Sequence, residues 1–261
     1  MTTEPVSTAL VRVAAADRLL VALDFDGTLA PLRDEPMLVR ALPEAVDAVA
    51  ALAALPETAV AFVSGRSIAD LRVIAEHRDD SPIHLAGSHG AELWIAGRGP
   101  LAPPDDVDAR RHGEALRGRV ERAIAGLDGA WVEAKAFGFA VHTRVAAPDA
   151  AAEAHAIADR IVAEHAPHWR RRTGHDVVEY SYRHEGKDAA IAALRVRLGA
   201  TAVLFAGDDV TDEDALASLG PDDLGIRVGS GPTAATVRVA DIAGLAAALR
   251  ALARLRSTHR E

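Results

Sequence analysis

Asp24 and Asp26 stand two residues apart where the apolar run Leu19-Leu20-Val21-Ala22-Leu23 ends, and Gly27-Thr28 follow at once. A carboxylate is costly to bury unpaired, so two of them beside a flexible glycine point to a cation and a substrate held in one place. The same residues could instead cap a helix or close an Asx-turn. Two further segments weigh against that reading. Val60-Ala61-Phe62-Val63 runs into Ser64-Gly65-Arg66-Ser67, and Ala202-Val203-Leu204-Phe205-Ala206 runs into Gly207-Asp208-Asp209, while Lys187 opens a helical stretch over 187–197. Carboxylates, a hydroxyl, a lysine and a second acidic pair are the parts needed for phosphoryl transfer through an aspartyl intermediate.

In that chemistry Asp24 attacks phosphorus. Asp26, on the same side of an extended chain two residues on, protonates the leaving oxygen and later takes a proton from water. Ser64 and Lys187 neutralise the transferring oxygens. Magnesium takes oxygen ligands and is usually held by one or two carboxylates plus phosphate. Asp24 and Asp208 fit that pattern, Asp26 and Asp209 are further candidate ligands, and Asp209 or Asp212 could serve from an outer shell. The chain has no Cys and no H-x-x-x-H pair, which argues against a zinc cage. His165 and His168, near a helix end, read as solvated.

These groups must be positioned by strands. Uninterrupted apolar runs read as strands buried on both faces of a parallel sheet, whose carboxyl ends lie on one edge, where ligands of such sheets bind. The first 88 residues alternate such runs with Ala-rich helical stretches, 43–55 and 67–77, as a doubly wound α/β sheet does. The pattern then changes. Stretches 91–95, 131–135, 137–145, 169–173 and 177–183 read as strands, many alternating, with helices over 104–127 and 149–165, which predicts an antiparallel α+β lobe open on one face. The expected division is a catalytic core of 1–88 and 184–261 with an inserted lobe of 89–183, placed as a cap over the catalytic edge. Gly87, Gly90 and Gly186 near the crossings could absorb hinge rotation or form ordinary turns. On the lobe Glu133 and Lys135 alternate onto one face, with Arg144 and Glu179 on neighbouring strands; they suit sugar hydroxyls or cross-strand ion pairs. Arg66 either meets substrate or pairs with Asp70 at i+4, and His89 either orients substrate or satisfies a turn. A last helix is expected over 244–255, with 256–261 fraying.

In order along the chain, Asp24-Phe25-Asp26-Gly27-Thr28-Leu29, Ser64-Gly65-Arg66, Lys187 and Gly207-Asp208-Asp209-Val210-Thr211-Asp212-Glu213 resemble the four motifs of the haloacid dehalogenase superfamily of phosphohydrolases. Within it, Leu85-Ala86-Gly87-Ser88-His89-Gly90-Ala91-Glu92, Val132-Glu133-Ala134-Lys135, Ala140-Val141-His142-Thr143-Arg144 and Val177-Val178-Glu179 are similar to the trehalose-6-phosphate phosphatases. The likeness runs from about residue 19 to 228. It implies a doubly wound core with a C2-type α+β cap, Asp24 as nucleophile, Asp26 as general acid and base, magnesium as cofactor, and Glu133, Lys135, Arg144 and Glu179 facing the disaccharide. The implied reaction converts trehalose 6-phosphate to trehalose and phosphate. Other sugar phosphates, such as sucrose phosphate or a mannosylphosphoglycerate, remain alternatives, as does a non-enzymatic regulatory partner of a trehalose synthase. The chain departs from many relatives at Gly174-His175-Asp176, where a Lys is common, and at Asp188, where Gly is more usual.

Composition narrows the partners. With 29 basic and 38 acidic residues the formal charge is −9, which opposes nucleic acid binding, and 4% aromatic content leaves few stacking platforms for single strands. Arg170-Arg171-Arg172 reads as a solvated strand edge. A chain of 261 residues, 49% hydrophobic, can bury a core without disulfides. The start Met1-Thr2-Thr3-Glu4-Pro5 is unlike a signal peptide, and no apolar run approaches the ~18 residues of a membrane span, so a cytoplasmic location is expected. The oligomeric state is left open, with a monomer compatible.

Overall fold

The computed structural model describes residues 5–101, 106–174 and 176–258. Strands β1 (Leu19–Leu23), β2 (Thr58–Val63), β3 (His84–Gly87), β4 (Glu92–Ile95) and β5 (Gly99–Leu101) come first. Next come β6 (Trp131–Lys135), β7 (Gly138–His142), β8 (Arg170–Gly174) and β9 (Val177–Ser181), then β10 (Ala202–Gly207), β11 (Leu224–Val228) and β12 (Val237–Val239). The chain divides into two compact units, 1–102 with 185–261, and 103–184.

In the first unit the sheet runs β12-β11-β10-β1-β2-β3-β4-β5, parallel from β12 to β3. Every residue of β1 is buried, because helices cover both faces. Val21 and Leu23 pack with helices Val6–Ala14, Pro43–Ala53 and Ile242–Thr258, while Leu20 and Ala22 pack with helix Lys187–Leu198. Burying each Leu or Val contributes about 1.5–3 kcal/mol, and the two-sided burial fixes the register. Leu23 pairs with Phe62 on one side and Ala206 on the other, so the chain leaves the sheet at Asp24 level with the ends of β2 and β10.

Two expectations about the first unit are corrected. Residues 92–101 belong to the core sheet: β4 pairs antiparallel with β3, β5 with β4, and Trp94 is buried beneath the Arg72 guanidinium. The last helix does not fray at 256. Arg256 is 1% exposed and donates to the carbonyls of Ala14, Ala16 and Glu57 and to the Thr58 hydroxyl, which anchors the helix end; 259–261 lie outside the described residues.

The second unit is a four-stranded antiparallel sheet, β6-β7-β9-β8. Alternation sends Val132, Phe139, Val141, Val178 and Tyr180 to one face, where Leu116, Val120, Ala154, Ala158 and Val162 from helices Val107–Ile124 and Pro148–His165 cover them. The arginine run is split by the same alternation. Arg171 reaches Asp159 on the helical side, whereas Arg172 pairs with Glu179 on the other, its side chain only 9% exposed, so Arg172 is not a solvated edge charge. No helix among the described residues is long and apolar enough to cross a membrane.

Candidate active site

The three strand ends bring Asp24, Ser64 and Asp208 to neighbouring positions on one sheet edge. Asp24 is 5% exposed; its Oδ1 lies 2.5 Å from Lys187 Nζ, and its Oδ2 accepts from the Thr28 hydroxyl at 3.1 Å. The same hydroxyl is 3.1 Å from Asp208 Oδ1. Lys187, the first residue of its helix, also donates to Asp212 Oδ1 at 2.6 Å. Asp212 is fully buried, and its Oδ2 accepts the backbone N–H groups of Asp208 and Asp209. Oxygens of Asp24, Asp208 and Asp212 come within 4.8 Å of one another.

Two glycines make room for this cluster. Gly27 has φ +78°, and a Cβ there would lie 2.0 Å from Asp208 Oδ2; a Cβ at Gly207 would lie 2.3 Å from Asp212 Cγ. One ammonium faces three carboxylates. Burial pushes the pKa of Asp24 well above the usual carboxylate range, Lys187 pulls against that, and Asp212 and Asp208 add to the rise. Burial, followed by Asp212, raises Asp208 to about 6. For Lys187 burial acts downward, but Asp212 and Asp24 outweigh it and hold the ammonium charged. An oxygen-only donor set with uncompensated negative charge fits a hard divalent cation.

The remaining expected residues fall into place unevenly. Ser64 is buried, its Oγ accepting the Arg66 N–H at 3.1 Å. Arg66 does not pair with Asp70, which bonds Ser67 instead; Nε and Nη2 of Arg66 each lie 2.7 Å from an oxygen of Asp26. The Asp26 carboxylate therefore faces a guanidinium and stands outside the acidic cluster. Asp209 stands outside it too: its side chain caps the turn Val210–Asp212, accepting the Val210 N–H at 2.7 Å. Thr28 and Asp212, rather than Asp26 and Asp209, complete the cluster. His89 is buried in the left-handed region with φ 57°, its ring against Gly65 and its N–H on the Ser64 carbonyl. Ser88 is left-handed as well, and Glu92 braces the pair by accepting from the Ser88 hydroxyl and the Ile68 N–H. Non-glycine residues in that region cost of order 1–3 kcal/mol each, strain of a kind that clusters at functional sites. Asp188 places its carboxylate in the first turn of the Lys187 helix, where negative charge complements the dipole.

In the second unit, Glu133 pairs across the sheet with Ala140, Ala140 with Glu179, and Glu179 with Arg172, so these four share the face the helices leave open. Lys135 Nζ is 2.8 Å and His142 Nε2 2.7 Å from Glu133 Oε2. Burial alone would raise the Glu133 pKa, but the bonds from His142 and Lys135 outweigh it and bring it to about 2. Arg144 is not on a strand: β7 ends at His142, and Arg144 is exposed in the turn beyond. His175 lies outside the described residues.

With this geometry in hand, comparison with known proteins is direct. Residues 22–242 match the trehalose-phosphatase family. The chain is 33% identical over 224 residues to the trehalose-6-phosphate phosphatase of Escherichia coli K12, covering 84% of this chain and 80% of that protein. It is 37% identical over 202 residues to the trehalose-phosphate phosphatase of Mycolicibacterium paratuberculosis, covering 75% of this chain and spanning 50% of that longer relative. The C-terminal domain of Candida albicans trehalose-6-phosphate phosphatase superposes with a TM-score of 0.80 at 18% identity, over 97% of each chain. The C-terminal domain of the Candida albicans trehalose synthase regulatory protein gives 0.74 at 13% identity, over 95% of this chain and 98% of that one. The chain belongs to the trehalose-phosphatase family.

Proposed function

We propose that this protein is a magnesium-dependent phosphomonoesterase of the cytoplasm that releases trehalose and phosphate from trehalose 6-phosphate. The observation that carries the reading is the convergence of Asp24, Lys187, Asp208 and Asp212 at one sheet edge. Asp24 attacks phosphorus, the bond to the sugar oxygen breaks, and Asp26, carrying a proton and turned from Arg66 for that step, delivers the proton that oxygen needs. Asp26 then takes a proton from water, whose oxygen attacks phosphorus and frees Asp24 and inorganic phosphate. Lys187 and Ser64 offset charge on the phosphoryl oxygens. Magnesium, with Asp24 and Asp208 as its ligands, supplies further charge neutralisation when bound. Glu133, Lys135 and Glu179 on the open sheet face of the lobe read the sugar hydroxyls, with Arg144 nearby in sequence.

The likeness to a regulatory protein concerns fold alone; what favours chemistry here is the buried, mutually bonded catalytic set, which a purely regulatory module does not need. Phosphate release from a panel of sugar phosphates, in magnesium and in excess chelator, tests the reading. Magnesium-dependent preference for trehalose 6-phosphate is expected. Preference for another sugar phosphate would retain the core mechanism and discard the substrate, and no release from any would favour the regulatory alternative.

A further inference from the structure

The open face of the lobe carries an aromatic group that the reading above leaves unused. Trp131 is 45% exposed, whereas the other two tryptophans, Trp94 and Trp169, are buried. Its indole stacks on the cross-strand partner His142, with ring centroids 4.8 Å apart and an interplanar angle of 10°. His142 is held in turn by Glu133, which also holds Lys135. The indole is thus braced in one orientation by a chain of contacts that ends in the charged groups of the same face.

The floor beside this chain is made of small residues: Gly138 and Ala140, the β7 residues on this face, carry at most a methyl group, and Ala140 is only 1% exposed. Glu133 and Lys135 flank the floor on one side, Glu179 and Arg172 on the other. A pyranose ring presents hydroxyls around its edge and C–H groups on its faces. Charged side chains suit the edge, and an exposed indole of fixed orientation suits a face, where aromatic side chains give large contact area at low entropic cost.

We propose that Trp131, backed by His142, is a stacking platform for a pyranose ring and a specificity-determining residue that makes the site favour a disaccharide phosphate over a hexose phosphate. The inference rests on the sugar-phosphatase reading above, and its test is separable from it. Kinetics of wild type, Trp131→Ala and Trp131→Phe are compared on trehalose 6-phosphate and glucose 6-phosphate, and tryptophan fluorescence is followed during titration with free trehalose. For Trp131→Ala, KM for trehalose 6-phosphate rises about tenfold with kcat within about twofold, Trp131→Phe lies between, and glucose 6-phosphate kinetics stay unchanged. Wild-type fluorescence responds to trehalose, and the response is lost in Trp131→Phe because the remaining tryptophans are buried. Equal KM values across the three proteins, or a response that survives in Trp131→Phe, overturns the platform. If wild type hydrolyses no sugar phosphate, the proposed activity fails, and the trehalose titration alone then decides the platform.

Discussion

Arg66 grips Asp26 through both prongs of its guanidinium, each 2.7 Å from a different carboxylate oxygen, across forty residues of sequence. The two side chains are only 18% and 24% exposed, so the pair fixes where the Asp26 carboxylate points. In the proposed mechanism, losing it should disturb the proton transfers more than binding. In Arg66→Ala, kcat is expected to fall about 10- to 100-fold, and Arg66→Lys should recover little, because an ammonium cannot reproduce the two-pronged geometry. Steady-state kinetics decide this: a change confined to KM would make Arg66 a substrate contact instead.

The acidic cluster is strained by its own charge. Asp208 has a folded pKa of about 6 against an ordinary 3.8, so its contribution to stability is complete below pH 3.8 and is lost as pH rises through 6. Asp208→Asn removes that loss. In chelator at pH 8 the variant should melt roughly 2 to 5 °C above wild type, with the gap closing by pH 4, while magnesium protects only wild type. A variant less stable than wild type in chelator at pH 8 would mean that its hydrogen bond to Thr28 matters more than its charge.

Gly27 and Gly207 are where the cluster cannot accept a methyl group. Gly27→Ala adds both a left-handed φ of +78° and a contact 2.0 Å from Asp208 Oδ2, and Gly207→Ala presses on Asp212. Each should lose at least about 2 kcal/mol and most of the phosphatase activity. Thermal melts and phosphate release check both; full activity in either would show that the aspartates can shift without cost.

Asp24, Ser64 and Asp208 were legible in the sequence for one physical reason, and Lys187 for another, as the cation that opens a helical stretch. Uninterrupted apolar runs form strands buried on both faces, and the first polar residues after them must emerge at the sheet edge. What escaped the sequence depended on contacts it does not encode locally. The i+4 spacing offered Asp70 as the alternative to a substrate contact for Arg66, but its guanidinium bonds Asp26, brought close by the pairing of β1 with β2. The adjacent Asp208-Asp209 pair suggested two ligands, with Asp212 only as an outer-shell alternative, yet the tight turn makes Asp209 a cap and sends Asp212 inward to Lys187. Alternation in Glu92-Leu93-Trp94-Ile95 correctly marked a strand without saying which sheet it joins. Arg256 looked like tail, because nothing local reveals the three carbonyls and the hydroxyl waiting for it.

Glu133 offers a test in the lobe whose sign is opposite to that of Asp208. Its carboxylate titrates near 2 in the folded chain against an ordinary 4.5, because bonds from His142 and Lys135 outweigh the effect of burial. A depressed folded pKa contributes stability that is present above pH 4.5 and is lost as pH falls through 2. The side chain is 42% exposed, so solvent screens the effect and it should be modest. Wild type should therefore exceed Glu133→Gln in melting temperature at pH 6 and lose that advantage between pH 4.5 and 2. The same substitution releases His142 and with it the brace on Trp131, so KM for trehalose 6-phosphate should rise as well. A melting difference that stays constant from pH 6 to 2 would place the role of Glu133 in shape, not in charge.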